Sequence, residues 1–193
     1  MSIILNGARL AARWHKDQKR DDSGLPYMTH LIRVAGRVMT LDGMEETDGA
    51  ASYLHDSLED QAKNFGGTIL MQGEIRSECG QDTLVTVIAL TNPSLGMELP
   101  RAERKHIDRE HLRRCPRNVK RIKLVDRIDN LKEILHDLRF GVCARHKFAA
   151  LYADESELML TQSLAGADST LEQELAQTIT DLRTVCNQST VVK

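Results

Sequence analysis

Two histidines and two aspartates, far apart in this chain, are together able to hold one divalent cation. They are His30, the doublet His55-Asp56, and Asp126 inside Lys123-Leu124-Val125-Asp126-Arg127-Ile128-Asp129-Asn130. Two imidazoles and two carboxylates make a mixed, fairly hard donor set. It suits Mn²⁺ or Fe²⁺, with positions left for water and a substrate oxygen. Zn²⁺ is an alternative, although the set lacks thiolates and does not look like a closed structural zinc site. Glu59 and Asp60 lie at i+4 from His55 and Asp56. If one helix carries all four, the two acids stack one turn beyond the doublet. Carboxylates that move protons beside an ion that polarises water suit metal-assisted hydrolysis.

Taken singly, these residues read more plainly. A lone helical histidine is usually a satisfied core or surface residue. His15, His106, His111, His136 and His146 are read that way. His106 and His111 are five apart and fall on different helix faces. Asp126 sits among Ile122, Leu124, Val125, Ile128 and Leu131, and a buried aspartate needs a partner. Alone it would be expected to pair with Arg127 or Arg121. Beside His30 and the doublet, a ligand role is the better reading. Asn130, at i+4 from Asp126, shares its face, where an amide can bond a sugar hydroxyl or orient a ligand.

Helices must position these groups. Aromatic residues are only 4%, and no alternating apolar pattern persists, so an all-α fold is expected. The length of 193 residues favours one domain, 1–193, over two. A first helix is expected over residues 3–20, with Leu10, Ala11 and Trp14 buried. Residues 21–26 form a loop. Thr29 caps a helix to about Leu41, with Ile32, Ala35, Val38 and Met39 inward. A helix from about Asp48 to Leu58 carries His55 and Asp56. Thr68 caps the next, which Gly80 ends, and Asp82–Leu90 follows. Beyond the loop at Asn92–Pro100, helices are expected over Arg101–Arg114, from Pro116 to Leu138, over Ala144–Ala165 and over Ser169–Asn187.

Charge and composition exclude some functions. A net charge of −2 argues against a general nucleic-acid binder. Basic residues do cluster, at Lys16, Lys19 and Arg20 and again between Arg101 and Lys123. They read either as solvated helix faces or as a rim that attracts a small polyanion. No apolar run approaches the ~20 residues that span a bilayer. The N-terminus does not read as a signal peptide. Cys79, Cys115, Cys143 and Cys186 are scattered and form no CxxC, so a cytoplasmic chain with reduced thiols is expected. The oligomeric state is left open.

The ordered set of motifs resembles the HD-domain superfamily, named for its His-Asp doublet. It is most similar to the hydrolase domain of RelA/SpoT-type enzymes and the small alarmone hydrolases. Residues Ala12 to Arg20 resemble the family's A-x-x-x-H-x-x-Q-x-R segment. Leu25 to His30 resembles P-Y-x-x-H, Leu54 to Asp60 resembles L-H-D-x-x-E-D, and Lys123 to Asn130 resembles K-L-A-D-x-x-x-N. Phe65-Gly66 and Val87 to Thr91 occupy places like further family segments. The resemblance spans roughly residues 8 to 135. It implies an HD-type helical bundle binding one divalent ion, usually Mn²⁺, through His30, His55, Asp56 and Asp126. It also implies Glu59 and Asp60 as the catalytic acids. Arg13 would lie against the base and Asn130 near the ribose, with Lys123 and Tyr152 as further substrate contacts.

The activity so implied is removal of the 3′-pyrophosphate of guanosine tetra- or pentaphosphate. Bifunctional relatives append synthetase and regulatory domains. This length leaves no room for them, so hydrolysis alone is expected. Two positions depart from the pattern. Leu31 replaces the proline that usually follows the histidine of P-Y-x-x-H. Trp14 stands where relatives often carry a lysine after the first-helix arginine, as either a core residue or part of a base-stacking surface. The departures leave the base open, so adenosine 3′-pyrophosphates stand beside the guanosine ones. A general HD phosphohydrolase for another nucleotide or a phosphomonoester is the alternative enzyme. A nucleotide-sensing HD module without turnover is the non-enzymatic alternative.

Overall fold

The structure, a computed structural model, describes residues 2–188. Among them there is no strand, and the expected all-α fold is observed. Helix α1 (Ile3–Trp14) is followed by α2 (Met28–Val38), α3 (Glu46–Leu54) and a short α4 (Ser57–Asp60). Then come α5 (Thr68–Leu90), α6 (Arg101–Arg114), α7 (Arg117–Arg139), α8 (His146–Met159) and α9 (Ser169–Gln188). A π-helical turn, Leu160–Leu164, continues α8. No helix among the described residues is long and apolar enough to cross a membrane.

Five local departures from the expected helices are seen, most of them around the site. α1 stops at Trp14 instead of reaching residue 20, because the chain folds back on itself. The Arg20 amide donates to the Leu25 carbonyl at 2.8 Å and the Tyr27 amide to the Gln18 carbonyl at 2.9 Å. In α2 the buried stripe is His30, Leu31, Val34, Ala35 and Val38, while Ile32 and Met39 are exposed. Apolar spacing leaves two phases open, and burial of His30 selects one of them. Thr29 lies inside the first turn and its hydroxyl donates to the Pro26 carbonyl, so it does not cap. The helix expected over Asp48–Leu58 is split. α3 begins behind a capping box of Glu45 and Asp48 and ends at Leu54, and His55-Asp56 is the joint before α4. Likewise Thr68 is the first residue of α5 and not its cap. Gly80, with φ +88°, breaks that helix as expected by taking a conformation open mainly to glycine.

α7 runs through the middle, packed against α2, α3, α5, α8 and α9. Ile122, Leu124, Ile128 and Leu131 on it are fully buried. Each such side chain contributes about 1.5–3 kcal/mol. Leu31 and Trp14 are also core residues. The proline-to-leucine departure therefore changes packing beneath the site, and Trp14 takes the core reading. α1 and α3 meet closely, since a Cβ added at Gly7 would lie 2.9 Å from the Ala50 Cα. That contact sets how near the chain leaving α1 comes to the His55-Asp56 joint.

The last helix is tied to the site-bearing ones through Glu174. Arg37 of α2 holds both its oxygens, and Lys132 of α7 donates at 2.7 Å. Arg37 first, then Lys132, pull the Glu174 carboxyl down to about 2. A depressed pKa adds stability above the unfolded value near 4.5 and loses it as pH falls toward 2. Glu174→Gln is therefore expected to lower stability by about 1 kcal/mol at pH 7, after allowance for solvent screening. The difference should vanish near pH 2 in denaturant titrations. A deficit that does not change with pH would contradict the ion-pair account.

Candidate metal centre and active site

The joint between α3 and α4 aims its side chains at α2 and α7. His55 Nε2 lies 2.9 Å from Asp56 Oδ2, 3.3 Å from His30 Nε2 and 3.5 Å from Asp126 Oδ1. His30 Nε2 is 3.4 Å from the same Asp126 oxygen. His30, His55 and Asp56 thus form a group able to hold a metal ion. Asp126 reaches both imidazoles from the α7 side. The helix break matters here. With His55 and Asp56 at a joint, both side chains turn to one point, which neighbours 100° apart on a regular helix do not readily do.

The surroundings fix which nitrogens face the centre. His30 Nδ1 donates to Asp129 Oδ2 at 2.7 Å, and His55 Nδ1 donates to the Ser52 carbonyl at 2.8 Å. Both Nε2 atoms are therefore left for the centre, as second partners of metal-bound histidines arrange. Arg33 in turn pins Asp129 through both oxygens. The Tyr27 hydroxyl donates to Asp56 Oδ2 at 2.6 Å. Asp126 receives Lys123 at 2.9 Å and Asn130 at 2.6 Å. The expected arginine partners went elsewhere: Arg121 to Asp168, and Arg127 onto the Tyr152 ring.

Electrostatics fits a cation. Burial opposes charge on His55, yet Asp56 and Asp126 outweigh it and raise its pKa well above the usual value. Burial likewise opposes the Asp126 carboxylate, but Lys123 and both histidines hold it well below its ordinary range. Two carboxylates facing two imidazoles call for positive charge between them, which a divalent ion would supply.

Glu59 and Asp60 hang from α4 beside this cluster. Asn92 clamps Glu59, its amide at 2.7 Å and its side chain at 3.1 Å. Burial raises the Glu59 pKa, with Lys123 opposing. Asp60 keeps an edge exposed to the cleft while Gln18 donates to Oδ2 at 2.7 Å. Protein around it, then the charge of Asp56, raise it to about 6. Gln18 is itself held by His15 and Gln61. His15 is buried, stacks on Tyr27 and bonds Ser57. It belongs to the scaffold of the site and is no ordinary surface histidine.

A cleft of about 330 Å³ opens from Asp60. Arg20, Tyr27, Asn130 and Tyr152 line it, together with Arg145 and Phe148. Arg20 bonds Asn130 at 2.7 Å and lies over the Tyr27 ring. Arg13 is elsewhere, on the outer face of α1, paired with Glu74. Lys123 is buried at the cluster and is not among the cleft residues. Sequence reasoning gave no site role to Gln18, Asp129 or Asn92, and offered Arg20 only as part of a basic rim. The i+3 spacings of His15–Gln18 and Asp126–Asp129 were the available signals for two of them. Asn92 had none, since it reaches Glu59 from a loop.

A helical bundle with a buried His-His-Asp group at a helix joint defines a metal-binding class of fold. The HD domain family matches residues 7–154, and the chain belongs to it. Among curated proteins it is similar to the guanosine-3′,5′-bis(diphosphate) 3′-pyrophosphohydrolase MESH1 of Xenopus tropicalis. The two are 32% identical, over 90% of this chain and 91% of that protein. The Homo sapiens protein of that name is 28% identical over 89% and 90%. Among solved structures it is similar to one described as a metazoan ortholog of SpoT that hydrolyzes ppGpp and plays a role in starvation responses. That match has a TM-score of 0.72 and 23% identity, and covers 93% of this chain and 95% of that one. A Listeria monocytogenes protein matches with a TM-score of 0.61 and 22% identity, over 78% and 96%.

Proposed function

We propose that the chain is one catalytic HD-type domain that removes the 3′-pyrophosphate of guanosine or adenosine alarmones. The observation that carries this is the pair Glu59 and Asp60, held by Asn92 and Gln18 at the edge of the four-residue cluster. The names of the relatives support the same substrate class. His30, His55, Asp56 and Asp126 would hold the ion, with Mn²⁺ the first choice for this donor set. Such an ion supplies Lewis acidity toward a phosphate oxygen and water. Cys79, Cys115 and Cys143 are free, which fits a reducing compartment such as the cytoplasm.

In the reaction, water adds to the phosphorus bonded to the 3′ oxygen. The P–O3′ bond breaks, pyrophosphate departs, and the 3′ oxygen takes a proton. Asp60, with a pKa near neutrality and an open edge on the cleft, accepts the water's proton. Glu59, fixed by Asn92, orients water at that point. Lys123 balances the charge of Asp126 from within α7. Asn130 and Tyr152 contact the nucleoside along the cleft.

Arg20 takes the base-side role in place of Arg13. Arg20→Ala is expected to raise KM about tenfold or more, as loss of a charged contact does. Arg13→Ala should leave kcat/KM within about twofold, since exposed ion pairs contribute little. The reverse ranking would restore Arg13. The defining experiment is incubation of Mn²⁺-loaded protein with guanosine and adenosine 3′-pyrophosphates, and identification of the products. Pyrophosphate with the matching 5′-nucleotide is expected. Release of single phosphate would favour the general phosphohydrolase instead.

A further inference from the structure

Arg127 is buried to 5% exposure, yet Nε and Nη1 have no hydrogen-bond partner among the described residues. Its Nη2 reaches only the Met159 sulfur, at 3.7 Å. The Tyr152 ring lies 4.4 Å from the guanidinium carbon. A ring stacked on the face of a guanidinium leaves its in-plane N–H donors unused. No carboxylate among the described residues pairs with it, although a buried, unpaired guanidinium is strongly unfavourable. Its neighbours sharpen the imbalance. Lys105 of α6 is held down by burial and by the charge of Arg127. Lys123, one turn earlier on α7, is spent on Asp126.

Resting on the proposed 3′-pyrophosphate chemistry, we propose that Arg127 forms a subsite for a phosphate-class dianion, the distal phosphate of the departing pyrophosphate. Arg127 follows Asp126 directly in α7, and Tyr152, the ring stacked on its guanidinium, lines the cleft that opens from Asp60. The planar fork of Arg127 suits two phosphate oxygens.

The test is thermal stabilisation of metal-loaded protein by inorganic pyrophosphate, with guanosine 5′-diphosphate in parallel, on the wild type, Arg127→Met and Arg127→Lys. Without ligand, Arg127→Met should melt at or above the wild-type temperature, because it removes an unpaired buried charge. Its affinity for pyrophosphate should fall at least tenfold, with that of the nucleoside diphosphate changed less than threefold. Arg127→Lys should fall between. A less stable Arg127→Met with unchanged pyrophosphate affinity would make the residue a structural stack on Tyr152 and overturn the proposal. So would selective loss of nucleoside diphosphate binding, which would move the subsite to the 5′ side. No turnover is read, so absence of 3′-pyrophosphate hydrolysis would count against the function alone and leave this outcome legible.

Discussion

Asp126→Ala is expected to strip the protein of its metal and abolish turnover. Asp126 Oδ1 stands 3.4 and 3.5 Å from the two histidine nitrogens that face the centre, and no other residue of α7 takes that place. The variant should lose metal affinity by more than about 100-fold, beyond the 10–100-fold typical for an outer partner. Asp129→Ala supplies that milder comparison. It frees His30 Nδ1 and Arg33 together, so affinity should fall about 10–100-fold. Metal content after dialysis against a chelator checks both. Removing Asp126 also leaves Lys123 buried without its partner, so Asp126→Asn should accompany it as the variant that keeps shape. Normal metal content in Asp126→Asn and Asp126→Ala would remove Asp126 from the ligand set.

The core and the cluster were legible in the sequence to different depths. Helix identities followed from apolar spacing and from turn residues such as Gly80 and Pro116, which act locally. The cluster residues were legible as a set because four donors in family order carry more information than any one. Phase and continuity were less visible. In α2, Ala35 and Val38 are buried as expected, but Ile32 was read inward in place of Leu31 because the two are equally apolar, and only His30, pulled inward by the site, decides between them. The joint at His55-Asp56 was hidden because both residues keep helical backbone angles while the helix itself is interrupted. α7 was the opposite case. Its basic run reads as a solvated face or an anion-attracting rim, yet Arg121, Lys123, Asp126 and Arg127 are all buried: Arg121 answers to Asp168, Lys123 to Asp126 one turn on, Asp126 also to His30 and His55, and Arg127 to the Tyr152 ring. Contacts such as Asn92 to Glu59 are set by tertiary packing alone.

Asp60→Asn and Glu59→Gln are expected to retain metal and fold while lowering kcat by about 10²–10⁴-fold, the usual weight of a proton-transfer group. The two should then separate in their pH profiles. The Asp60 carboxyl, raised to about 6 by its surroundings and by Asp56, is a base only above that value. Wild-type kcat/KM should therefore fall as pH drops below about 6. A bound cation offsets the charge of Asp56, so in the loaded protein the limb moves lower and not higher. Asp60→Asn should lack this limb, whereas Glu59→Gln should keep it. Stability has the opposite sign. A raised carboxyl pKa adds stability that is present below 3.8 and is lost as pH rises through about 6. At neutral pH, then, Asp60→Asn should be no less stable than the wild type. Lost activity without lost stability would mark a group kept for its chemistry. A rate that declines above pH 6 would instead make Asp60 the proton donor, and a variant that is both inactive and unstable would return it to the scaffold.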